Sequence, residues 1–282
     1  CFEGLGETPL AQTVYGRSSR ERIDAQQARA NAVMRPDEAE AYLHAVIAMT
    51  KRSGNSVLAV QFFGGEPLLN WKTVRYVLQR FDRRTDGVAL SYSVVTNGSI
   101  ITDEMAQTFR QYEVPVIVSY DSPGGDDRRF GGGGKSHDAI QRGIDLLIWY
   151  DNRVALNAAL TNSTYDFFDR HLVDFSVNHG VKEIGVVLDL DPSFYETRGS
   201  AAITDKLWDV CDYGQSKGVV LTGYWHQIFQ GLTAFDRYNA SGYQNCSAMG
   251  VQLSIEPSGA VFACKASGAY FGHILDIEEM LT

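Results

Sequence analysis

The chain has 282 residues, 44% of them hydrophobic and 21% charged, enough apolar material for a large core in one domain or in one and part of another. Its net charge of -9 and pI near 5.1 argue against general binding of nucleic acid or of an anionic membrane surface, and no apolar run approaches the roughly 20 residues of a spanning helix. Four cysteines without a secretory segment point to a reducing compartment, the cytoplasm by default, where thiols serve metals or catalysis rather than disulfides.

The chain starts at Cys1 and stops at Thr282, just after what reads as a helix opening over 276–280, and is expected to be a fragment at both ends. The first helix follows Arg35, with Pro36 in its first turn and Asp37 and Glu38 behind it, and closes at Gly54. Residues 57–63, an apolar run containing Val57, Leu58, Val60 and Phe62, read as a buried strand that ends in Gly64-Gly65-Glu66-Pro67. Two glycines let a ligand approach the backbone, and Glu66 is placed to bind something cationic, such as an ammonium group; a plain strand-to-helix turn explains the same residues about as well.

Beyond that turn the pattern alternates with a spacing of about 30 residues, as repeated βα units do. A helix is expected over 70–84, a strand over 88–95 ending at Thr96-Asn97-Gly98, a helix over 102–112, and a strand over 114–120 ending at Asp121-Ser122-Pro123. A glycine-rich loop precedes a helix over 137–150, a strand over 153–160, a helix over 165–179 and a strand over 182–189 that ends at Leu190-Asp191-Pro192. Parallel strands covered by helices place a ligand at their carboxyl ends. Glu66, Asn97, Ser119, Asp121, Thr161, Asn162 and Asp191 all fall there, although each taken singly reads as a turn residue or helix cap.

In this order, Cys1-Phe2-Glu3, Gly64-Gly65-Glu66-Pro67, Thr96-Asn97-Gly98, Ser119-Tyr120-Asp121 and Leu190-Asp191-Pro192 resemble the successive landmarks of the radical S-adenosylmethionine (SAM) enzymes, most closely the sulfatase-maturating and peptide-modifying branch that carries a SPASM domain. The resemblance implies a partial (β/α)6 TIM-like barrel, lacking its first strand, over 1–200, a helical linker over 201–245, and the start of a SPASM domain over 246–282. Three cysteines spaced C-x3-C-x2-C hold a 4Fe-4S cluster in that family and leave one iron for SAM; Cys1 matches the third. The first two are absent, so the chain as it stands is expected to be inactive. The resemblance further gives the SAM amino group to Glu66 and the Gly64-Gly65 backbone, a polar SAM contact to Ser119, the SAM carboxylate to Arg129, and backbone contacts with the adenine to Leu190. Asn97 and Asp121 are placed in the same site without an assigned step.

Cys246 and Cys264 stand in the pattern C-x12-G-x4-C around Gly259. Residues 252–256 and 260–264 read as two short strands joined by Pro257-Ser258-Gly259, a hairpin that draws the thiols together. Two unconnected buried cysteines are the plain alternative; the resemblance makes them ligands in a domain that binds one or two auxiliary Fe-S clusters, with Gly272-His273-Ile274 following the hairpin. Cys211 reads as a core residue. Tyr224, Trp225 and His226 fit either a peptide cleft or packing, with packing favoured.

The function implied is reductive cleavage of SAM at the cluster, with the resulting deoxyadenosyl radical abstracting hydrogen from a peptide or protein side chain, served by a low-potential electron donor such as flavodoxin or ferredoxin. Products of this branch include a crosslinked or oxidised residue in a ribosomally made peptide, and formylglycine in a sulfatase. Three other readings carry less. The Gly131–Ser136 run lacks the first glycine of a P-loop, because Arg129 stands in its place. Cys1 as an N-terminal nucleophile calls for stacked antiparallel sheets rather than βα repeats. A degenerate radical SAM fold that binds peptide without chemistry is the non-enzymatic reading.

Overall fold

The computed structural model describes residues 33–122, 135–189, 191–223, 225, 252–263 and 270–276. They fall in two units, one comprising the chain up to Ala59 with Leu69–Ser91 and Ser241–Thr282, the other comprising Val60–Leu68 and Tyr92–Ala240.

In the first unit helix α1, Pro36–Arg52, starts with its proline at a position where no amide donor is needed, and the Arg35 amide donates to Glu38 Oε2 at 2.8 Å. Its apolar stripe turns Tyr42 and Ala45 onto Val261 and Ile274. Val261 belongs to, and Ile274 directly follows, a small sheet of three antiparallel strands, β8 (Ser254–Ile255), β9 (Ala260–Phe262) and β10 (Tyr270–His273). The expected 257–259 hairpin is therefore present. Gly259 has φ +79°, and a Cβ there would lie 2.1 Å from the His273 ring, so glycine is needed both for the turn and for the close approach of β10. Helix α2, Trp71–Arg80, follows a 3-10 turn at Pro67–Asn70 and is tied to α1 where Glu40 accepts from the Tyr76 hydroxyl and from Arg80 Nε.

In the second unit the strand order is β1-β3-β4-β5-β6-β7, each strand laid beside the one before it. The strands are β1 (Val57–Phe62) and β3 (Val88–Thr96), which both begin in the first unit, then β4 (Val116–Ser119), β5 (Val154–Leu160), β6 (Glu183–Leu188) and β7 (Val220–Thr222). From β3 to β7 every pairing is parallel. This order never reverses, which is the winding of a barrel rather than of a doubly wound sheet. Helices α3 (Asp103–Gln111), α4 (Lys135–Trp149), α5 (Arg170–Asn178), α6 (Pro192–Arg198) and α7 (Ser200–Ser216) make the crossovers. Because such crossovers share one hand, one strand face is buried, as at Val116, Val118, Leu156, Ala158, Ile184 and Val186. The alternate residues on the other face are only half-buried. None of the described helices is long and apolar enough to cross a membrane.

Four local expectations change. Strand β1 is present but has no buried residue, and Val57 is 65% exposed; among the described residues it has β3 as its one neighbour, and apolar content does not say how many neighbours a strand has. The helix expected over 70–84 stops at Arg80, and β2 (Arg84–Thr85) pairs antiparallel with the start of β3 through Asp86 (φ 51°) and Gly87 (φ 87°); an Asp-Gly turn with both φ positive is the chemistry of a two-residue hairpin. The helix expected over 165–179 is a 3-10 turn, Tyr165–Phe167, followed by α5, whose N-cap Asp169 accepts from the His171 amide. Strand β7, within the stretch read as a linker, adds to the sheet beside β6.

Gly143 of α4 packs against the turn after β3, where a Cβ would stand 2.0 Å from the Gly98 carbonyl oxygen. Gly143→Ala is expected to lower stability by about 1–3 kcal/mol, the usual cost of overpacking, seen as a lower urea midpoint at unchanged slope.

Candidate functional site

The turn after β1 carries Gly64 and Gly65 at the carboxyl end of the strand, and a Cβ at either would meet no heavy atom of the described residues within 4 Å. Beside it Glu66 is held by three donors: the Leu68 amide at 3.0 Å and the Thr96 hydroxyl at 2.8 Å reach Oε1, and the Asn97 amide at 2.8 Å reaches Oε2. The carboxylate thus bolts the glycine turn to the end of β3, and one of its roughly four lone-pair directions stays available.

The neighbouring landmarks divide into engaged and available groups. Asn97 Oδ1 accepts from the Ser99 amide and hydroxyl at 2.9 and 2.7 Å, which shapes the turn after β3. Asp121 is 3% exposed and its Oδ1 accepts the Ala159 amide at 2.7 Å, joining the end of β4 to β5. Asp191 caps α6 by accepting from the Ser193 amide at 2.9 Å. Thr161 Oγ1 closes a turn with Ser163 and Thr164, while the Asn162 carbonyl accepts from Arg198 Nη2 at 3.1 Å. Ser119, the last residue of β4, is half-buried on the open face of the sheet, and no hydrogen bond of its hydroxyl joins it to another described residue. Sequence reasoning missed Thr96 as a partner of Glu66; the signal was its β-strand phase, which sets it opposite Asn97.

Arg129, Leu190, Cys1, Cys246 and Cys264 lie outside the described residues. Among the described residues no cluster of three metal-binding side chains is present. Of Tyr224, Trp225 and His226, only Trp225 lies within the described residues: a Cβ on Gly223 would lie 2.5 Å from its Nε1, and its ring meets Trp208 edge-on at 6.2 Å. Tyr195 donates to the Asp189 carbonyl at 2.8 Å, and its phenol pKa is raised, first by burial and then by the Asp189 charge. Burial, then the charge of Asp212, pushes the Cys211 thiol up to about 11.

Two tests follow from this arrangement. Glu66→Gln sets an amide donor against a donor, so the protein without ligand should lose about 1–3 kcal/mol, measured by chemical denaturation. With its pKa raised, Cys211 is the neutral thiol at pH 8 and should resist iodoacetamide in the native protein while reacting in urea, as followed by mass spectrometry.

No family model matches the chain. It is 41% identical over 268 residues to a protein named radical SAM cyclopropyl synthase TigE, from Paramaledivibacter caminithermalis, a match that takes in 94% of this chain and 56% of the relative. The chain thus spans little more than half the length of that relative. Among solved structures, anSMEcpe with bound AdoMet aligns with a TM-score of 0.68 at 18% identity, covering 89% of this chain and 69% of the other. Streptococcus suis SuiB bound to the precursor peptide SuiA aligns with a TM-score of 0.57 at 16% identity, covering 80% and 52%. At these identities the two structures show a shared fold. Along nearly its whole length, then, the chain is similar in sequence to a protein named as a radical SAM enzyme.

Proposed function

We propose that the chain is the catalytic portion of a radical SAM enzyme that modifies a peptide or protein side chain. One observation carries the reading: a turn of two glycines stands beside the Glu66 carboxylate, held by three donors, at the end of β1, at the strand ends that also bear Asn97 and Ser119. An ammonium group suits that turn, since a carboxylate with an acceptor direction left over is a partner for a cation.

The residues present suit SAM. Gly64 and Gly65 would admit its methionine end, Glu66 would accept from its amino group, Ser119 would hydrogen-bond its polar edge, Arg129 would meet its carboxylate and Leu190 would face its adenine. A 4Fe-4S cluster would take Cys1 as one ligand, and Cys246 and Cys264 would serve the first auxiliary cluster of a SPASM domain. Bound together, SAM and a reduced cluster supply methionine and a 5'-deoxyadenosyl radical able to take hydrogen from an unactivated carbon. Asp121 and Thr96 hold the strand ends in register so that these groups keep their spacing. The electron comes from a flavodoxin- or ferredoxin-like donor, and a reducing cytoplasm suits such clusters.

The name of the 41% identical relative favours ring closure on the substrate, in which a carbon–carbon bond would form as the substrate loses two hydrogens, with SAM as the two-electron oxidant. The complex of SuiB with its precursor peptide favours a ribosomally made peptide as the class of substrate.

The decisive experiment takes the full-length protein, reconstituted anaerobically with iron and sulfide, adds SAM and a low-potential reductant, and follows 5'-deoxyadenosine by mass spectrometry. Deoxyadenosine formed by the parent protein and abolished by Cys1→Ala is the expected result. A well-loaded cluster that yields none would overturn the reading in favour of a peptide-binding fold without chemistry.

A further inference from the structure

The residues singled out at the strand ends are largely engaged by the protein itself, whereas a row on the open face of the sheet is not. Pairing sets Ser119 of β4 opposite Asn157 of β5, Asn157 opposite Gly185 of β6, and Gly185 opposite Thr222 of β7. All four lie on the half-buried face, in alternation with buried Val118, Leu156, Ile184 and Leu221. The Asn157 carboxamide lies across Gly185, where a Cβ would come within 2.8 Å of its Oδ1. No hydrogen bond joins the side chains of Ser119, Asn157 or Thr222 to another described residue.

Resting on the peptide-modifying reading above, we propose that Asn157, seated over Gly185, is a substrate-positioning residue that pairs with a backbone amide of the peptide. Three features support this. A carboxamide offers a donor and an acceptor side by side, which matches a peptide group and mismatches a carboxylate or an ammonium. The row is neutral throughout, so it provides no counter-charge for the charged end of SAM. It also starts at Ser119 and runs away from the glycine turn, with Thr222 three strands on, about 14 Å at the usual strand spacing, and Asn157 and Gly185 each stand three residues short of their strand ends, about 10 Å below them. Gly185 is part of the device, because any side chain there displaces the carboxamide.

The test uses full-length, cluster-loaded protein labelled with 15N in its asparagine side chains. The probe is N-acetylalanine N'-methylamide, a minimal peptide group, and SAM is titrated separately by calorimetry. The side-chain NH2 pair that disappears in Asn157→Asp should shift when the probe is added, and Asn157→Asp should weaken the probe about fivefold. SAM affinity should stay within about twofold, since no bond to SAM is lost. Gly185→Ala, which keeps the carboxamide but moves it, should weaken the probe likewise, and it serves if Asn157→Asp fails to fold by circular dichroism. The proposal is overturned if SAM rather than the probe shifts that pair, if Asn157→Asp weakens SAM as much as the probe, or if the probe shifts no asparagine. Failure of the parent protein to bind SAM while the probe still shifts the pair would sink the cofactor reading and leave the amide site standing.

Discussion

Every crossover from β3 to β7 returns to a parallel strand, and the hand of such connections puts their helices on one side of the sheet. That constraint shapes the second unit. The helix side is closed by Val94, Val116, Val118, Leu156, Leu160 and Ile184, each nearly or wholly buried. The other side is only half-buried and mixes aliphatic residues, Val95, Ile117 and Val187, with small and polar ones, Ser119, Asn157, Gly185 and Thr222 among them. A sheet wound alternately would have filled both faces with apolar side chains and left no room for a ligand between the strands.

Within that frame the ends of the strands are held by side chains rather than by the sheet ladder. Glu66 gathers an amide from its own turn, the hydroxyl of Thr96 and the amide of Asn97. Asp121 does the corresponding work between β4 and β5. Groups that a ligand would meet are therefore positioned before it arrives, which is the condition under which binding energy goes into orientation rather than into ordering loops. The same arrangement gives Glu66 two duties, since its carboxylate keeps an acceptor direction free for an ammonium while holding the turn that presents it.

The glycines show how closely sequence and packing are joined. Gly98, at φ +75°, ends the Thr-Asn-Gly turn, and Gly143 lets α4 close on that turn's carbonyl. Gly259 turns the small hairpin under His273, and Gly185 lies beneath Asn157. At each of these sites an atom from another segment of the chain approaches the glycine, so the fold requires it, at Gly98 and Gly259 in addition to the turn's own positive φ.

Legibility followed the same division. Periodicity carried the alternation of strands and helices, because a two-residue repeat and a 3.6-residue repeat are local properties, and the ordered short motifs carried the family resemblance. The Asp86-Gly87 hairpin was also legible, as a turn that demands two positive φ values, but an apolar helical pattern running past Arg80 obscured it. What the sequence by itself determined was the βα succession, the glycine turn with its acid, and the placing of polar residues at strand ends. Only the tertiary structure decided that β1 has no buried residue, that Glu66, Asn97 and Asp121 are largely bound by backbone and hydroxyl groups, and that Ser119, Asn157, Gly185 and Thr222 share one row. The reason is physical: exposure of a strand and the partner of a side chain depend on which strand lies alongside, and that pairing joins residues dozens of positions apart.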